Sequence, residues 1–252
     1  KWGGGKALPF VYICTTIINN YTIILQIKTK NIMKTKLLTL WAVAVTACVL
    51  TSCGGSGFGK LAMDSEEAVT KVKDIVSSNI DSGEWKIVEI EWNEGVGDAA
   101  TLENNLNNGG IYVKMVKSNN GVFVQNFMGQ LGWKPTAIDT DHWYDKLYYD
   151  KVTPIDAANL DVAAIMKHIN DAKAMIPAEY EFRSLAKYQI KAGIPNGTSG
   201  EGEYTDGTTS EFTINVVEKG NETVSSAGTT SIIYYEIDFE VATDGTLTMD
   251  VE

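Results

Sequence analysis

The chain has 252 residues, 21 Lys and Arg against 32 Asp and Glu, a net charge of −11 and 44% hydrophobic residues. That balance excludes a general nucleic-acid binder and a face that lies flat on anionic lipid, because both need clustered cations. Length and apolar content suffice for a packed core, as one domain or two small ones.

Residues 1–32 are rich in Ile, Asn, Thr and Lys, carry no acid and show no turn-bounded period. They read as translated upstream sequence rather than a domain. Residues 33–52 begin with Met33-Lys34-Thr35-Lys36, run apolar over 37–50, and close on Thr51-Ser52 before Cys53. A basic start, a short apolar stretch and small residues at a cut are the parts of a secretory signal. The stretch falls short of the roughly 20 residues a spanning helix requires.

This order resembles the signal peptide and lipobox of bacterial lipoproteins. The resemblance implies cleavage before Cys53, a diacylglycerol on its thiol, and the membrane as a partner through that lipid. It implies the bacterial cell envelope, and Gly54 in place of Asp after the cysteine favours the outer membrane. Six lysines and no acid precede Cys53, so the 200 residues from Cys53 onward hold 15 basic and 32 acidic residues, a net charge of −17. Cys14 and Cys48 are removed too, which leaves no internal disulfide, cysteine zinc site or second thiol.

Residues 53–63 form a glycine-rich tether. Gly54, Gly59 and Lys60 imitate a phosphate loop, but Leu61 stands where Ser or Thr is needed and no strand precedes. A first unit over 64–132 opens with a helix, with Asp64 as cap, Glu67 as capping-box partner and Val69, Val72, Val76 and Ile80 on one face. A strand over 85–92 and a hairpin of 111–117 with 122–127 around Asn119-Asn120-Gly121 follow. Residues 133–153 connect to a second unit over 154–252. There Thr153-Pro154 starts a helix running to Pro177, and strands follow near 180–190, 212–216, 233–241 and 247–251.

The expected fold class is α+β, with two successive helix-plus-antiparallel-strand units, a duplication in which each helix covers a sheet face. In element order this resembles the PepSY-like and cystatin-like families of small secreted domains.

The connection gathers the candidate chemistry. Trp133, Trp143 and Tyr144 lie among carboxylates, the combination that stacks rings on sugar C–H faces and accepts hydroxyl protons. The competing reading has these aromatics pack over the sheet ends and join the halves. Asp139, Asp141, Asp145 and Asp150 occupy positions 1, 3, 7 and 12 of a calcium-loop count. Tyr144 replaces the required Gly, Trp143 offers no oxygen at position 5, and Asp150 is shorter than the usual bidentate Glu. Of the two histidines, His142 sits in this segment and His168 mid-helix, where a core-edge role fits better than ligation. No nucleophile motif appears, and the Glu236, Asp238 and Glu240 row reads as a solvated strand face.

These readings together give a lipid-anchored envelope protein with a non-catalytic binding or accessory role and no cofactor. Its expected partner is an envelope protein or a glycan. A glycan-binding lipoprotein and an acid-dependent hydrolase are the alternatives.

Overall fold

The computed structural model describes residues 25–26, 60–95, 101–141, 147–193, 207–226 and 229–250. In chain order the elements are β1 (Leu25–Gln26), α1 (Glu66–Asn79), β2 (Lys86–Asn93), β3 (Gly110–Val116), β4 (Val122–Met128) and β5 (Asp139–Thr140). The second half contributes α2 (Val162–Met175), β6 (Tyr180–Lys191), β7 (Thr209–Glu218), β8 (Thr223–Ser226), β9 (Thr229–Val241) and β10 (Leu247–Asp250).

Helix α1 starts one residue later than expected. Ser65, in extended conformation, accepts the Ala68 N–H and is the cap, while Asp64 instead pairs with Lys173 of α2. The third helical residue is therefore Ala68, so Glu67 forms no capping box. Val69, Val72 and Val76 are fully buried at helical spacing, each contributing about 1.5–3 kcal/mol through burial. Helix α2 also departs from expectation. Its cap is Asp161, which accepts the Ala164 N–H, eight residues after the anticipated start. Ile155 donates its N–H to the Ile87 carbonyl, which draws the chain after Pro154 along β2 instead of into a helix.

The mixed α+β class holds, but the halves do not form separate sheets. The order across the sheet is β1-β9-β7-β6-β2-β3-β4-β5, with β8 and β10 also on β9. All neighbours pair antiparallel except β1, which runs parallel to β9. The seam is β2 against β6, registered Trp92 opposite Tyr188 and Ile90 opposite Ile190. Both helices touch each other and share one core with the inner face of this sheet.

The inner face carries one transverse row of side chains from Phe239 through Phe212, Tyr188 and Trp92 to Ile111 and Phe127. Every member is buried. A second, smaller cluster is buried on the opposite face, where Leu102, from the chain between β2 and β3, packs with Val217 and Tyr234.

Candidate functional site

The segment 60–63 is laced to residues 104–107. Leu61 N–H donates to Asn105 Oδ1 at 2.9 Å, Leu106 N–H to the Leu61 carbonyl at 2.8 Å, and Met63 N–H to the Asn104 carbonyl at 3.3 Å. Asn105 Oδ1 also accepts the Asn107 N–H, which fixes a short 3-10 turn over Leu106–Asn108. That turn touches a second one, Gly129–Leu131, so closely that a Cβ on Gly129 would stand 2.6 Å from the Asn107 carbonyl oxygen. Glycine is required there by contact rather than by dihedral angle.

The second turn ends with Gly132 in the left-handed region, and Trp133 follows at φ +64°. Its N–H donates to the Met128 carbonyl while Gly132 N–H donates to Gly129, the bond pair of a Schellman ending. A left-handed backbone costs a residue with a Cβ about 1–2 kcal/mol. Strain of this kind persists where the surroundings over-determine it, often at functional positions. Here it presents half-buried Trp133 at one side of an open groove of about 780 Å³.

Opposite Trp133 the groove is lined by the outer face of α1, with Glu66, Glu67, Thr70 and Lys71, all exposed. Lys60 and Asn107 complete the rim. The arrangement offers one aromatic surface, carboxylate acceptors, an amide and two ammonium donors to a ligand that lies along the helix.

Of the three aromatics expected to meet a ligand, Trp133 lines this groove, while Trp143 and Tyr144, with Cys53, His142 and Asp145, lie outside the described residues. The partners that Trp133 meets come from α1, more than sixty residues earlier. Of the calcium candidates, Asp139 is exposed in β5 and Asp150 exposed in a 3-10 turn, whereas Asp141 is buried. Asp141 faces Lys114 Nζ at 3.5 Å, and Glu89 faces the same ammonium at 3.2 Å. Among the described residues no three His, Cys, Asp or Glu side chains group as metal ligands.

The connection also seals the sheet end. Lys86 Nζ lies over the Tyr149 ring at 4.5 Å and donates to the Tyr149 and Val152 carbonyls. His168 contacts Tyr188 through Nδ1 and the phenol oxygen at 3.1 Å. Burial, with Lys167 nearby, holds this imidazole below its ordinary pKa, and burial pushes the Tyr188 phenol up to about 12.

A buried polar centre was missed. Glu94 has no exposed surface. Its Oε1 accepts from Ser184 and from Asn215 Nδ2, and its Oε2 from Asn104 N–H at 2.5 Å and Thr101 at 3.4 Å. Burial pushes the Glu94 carboxyl above the ordinary range, and the bonds from Ser184 and the Asn104 and Asn105 backbone pull it part of the way back. Leu102 and Asn104 both have positive φ, so the carboxylate fastens a strained loop over the sheet. The signal in the sequence was Glu94 at the next alternate position after Ile90 and Trp92, where a strand facing the core would continue with an apolar residue.

Comparison with protein-family models, curated proteins and solved structures finds no match to this chain.

Proposed function

We propose that the protein is a lipid-anchored lipoprotein of the bacterial cell envelope, on the outer membrane, whose head has a non-catalytic binding role. The lipid is carried by Cys53, and the Trp133 groove takes a glycan. The observation that supports the glycan reading is Trp133 itself, held in a costly left-handed backbone at the wall of a groove lined with carboxylates and an amide. A ring held there stacks on a pyranose face, and Glu66, Glu67 and Asn107 bond its hydroxyls.

A protein partner is the second reading. It is favoured by the sheet face opposite the helices, where Glu91, Tyr112, Gln189 and Glu211 fall in one register row of polar side chains. A hydrolase would need two facing carboxylates in a deep pocket. The groove's acids instead sit exposed on one helix, and Glu94 is sealed outside the groove. The strand order β4-β3-β2 meeting β6-β7-β9 also supports a duplicated helix-and-three-strand unit joined edge to edge.

A glycan array followed by calorimetry on the best ligand, comparing wild type with Trp133→Ala, tests the binding reading. Loss of affinity supports the groove, and equal affinity in the variant overturns it. Incorporation of an alkynyl fatty acid in wild type but not in Cys53→Ala tests the anchor.

A further inference from the structure

We propose that the turn at residues 128–131 is the surface by which the head rests on the bilayer that carries it. The proposal builds on Cys53 as the lipid attachment site. Leu131 is 65% exposed, the most exposed of the large hydrophobic side chains among the described residues, and Met128 at the other end of the same turn is 38% exposed. The turn adjoins the place where the described head begins. Lys60 and Leu61 share the groove with Trp133, and Trp133 N–H bonds to the Met128 carbonyl.

From Cys53 to Lys60 is seven residues, a reach of at most about 25 Å when fully extended. A glycine-rich chain of that length has a typical span of only about 15 Å. A head of roughly 190 residues has a radius of gyration of about 16 Å, so its far side lies beyond the tether's usual reach. An anchored Cys53 therefore keeps the end of the head bearing Lys60 and the 128–131 turn toward the lipid.

The local chemistry suits an interface. Leu131 and Met128 offer apolar surface, Lys134 follows the turn in the chain, and Lys60 and Lys71 line the adjoining groove, within a chain that is otherwise strongly acidic. Glu66 and Glu67 in the groove offset those lysines, so the contact is apolar and does not depend on anionic lipid. Two side chains alone make a weak contact with a membrane. Tethering makes that contact intramolecular, with an effective concentration in the millimolar range, and a weak contact then sets orientation.

The test uses the full lipoprotein reconstituted in phosphatidylcholine–phosphatidylethanolamine vesicles. Acylation blocks the Cys53 thiol, so Leu131→Cys or Ser118→Cys introduces a single site for an environment-sensitive fluorophore. Ser118 is exposed at the opposite end of the β3–β4 hairpin, six strand residues or about 20 Å from Met128. The expected result is a blue-shifted emission at 131 that spin-labelled lipid quenches, with neither effect at 118. The double variant Met128→Cys/Leu131→Asp should still float with the vesicles but lose the shift that Met128→Cys alone shows. Equal emission and quenching at 131 and 118 in floated protein overturns the contact while leaving the anchor standing. Failure to float, with no thioether lipid on Cys53 by mass spectrometry, sinks the anchor and this inference with it.

Discussion

Trp92 and Tyr188 stack across the seam between the two halves, ring centroids 4.7 Å apart and planes 16° from parallel. They are direct cross-strand partners, and the stack continues from Tyr188 to Phe212 at 5.0 Å and on to Phe239 at 5.2 Å. Four strands thus share one aromatic ribbon that begins in the first half and ends in the second. The halves should therefore unfold together. Trp92→Ala or Tyr188→Ala should each cost about 3–5 kcal/mol, and the double variant should reveal a coupling of about 0.5–1.5 kcal/mol beyond burial. Denaturant melts followed by tryptophan fluorescence and by far-UV circular dichroism should coincide. Two separated transitions would mean that the seam does not join the halves.

Glu94 should govern a pH dependence of opposite sign to that of a salt-bridged acid. Its folded pKa lies above the ordinary 4.5, so the folded chain holds the proton more tightly than the unfolded chain. The stability tied to this group is full below that ordinary value and falls as pH rises from it through the raised folded pKa. The urea midpoint of wild type relative to Glu94→Gln should therefore decline across that window and level off above it. A difference that rises with pH would contradict the assignment. Glu94→Ala should cost about 3–5 kcal/mol below that ordinary value and less above the window, since the Ser184 hydroxyl and the Asn104 N–H lose their buried acceptor while Asn215 keeps Ser184 Oγ.

Local periodicity made much of this fold legible. Alternation located β2, β6 and β9, and Asn119-Asn120-Gly121 located the β3–β4 hairpin, with Asn120 at φ +66°. The seam was not legible, because Trp92 and Tyr188 are 96 positions apart and nothing local announces a cross-strand pairing. Pro154 misled for a physical reason: a proline that suits a first helical turn suits an extended edge equally well, and the Ile155 bond to Ile87 decides between them. At the groove, Trp133 was visible as an aromatic among acids. Its groove neighbours on α1 lie about sixty residues earlier, and of these only Glu67 stands out in the sequence, as a capping-box partner.

His168 should titrate below its ordinary 6.5. Burial disfavours the imidazolium, and Lys167 nearby adds to the effect. With a depressed folded pKa, the stability from this group is complete above 6.5 and lost as pH falls from there through the folded value. An NMR titration assigned with His168→Gln should give a midpoint below 6.5. A wild-type midpoint at or above 6.5 would count against the buried pairing.

Trp133 allows backbone strain to be separated from ligand contact. Both Trp133→Ala and Trp133→Gly remove the ring, so both lose its packing against the core and its stacking surface in the groove. They differ in the left-handed backbone, which Gly adopts freely and Ala does not. Trp133→Gly should therefore be more stable than Trp133→Ala by about 1 kcal/mol, while the two bind glycan equally poorly. Trp133→Tyr retains a ring at the same strained position and should recover part of the affinity with no gain in stability over wild type. If the Gly and Ala variants melt together, the turn has relaxed around position 133 and the strain is not held by its surroundings. If Trp133→Tyr binds no better than Trp133→Ala, ring stacking is not what the groove supplies.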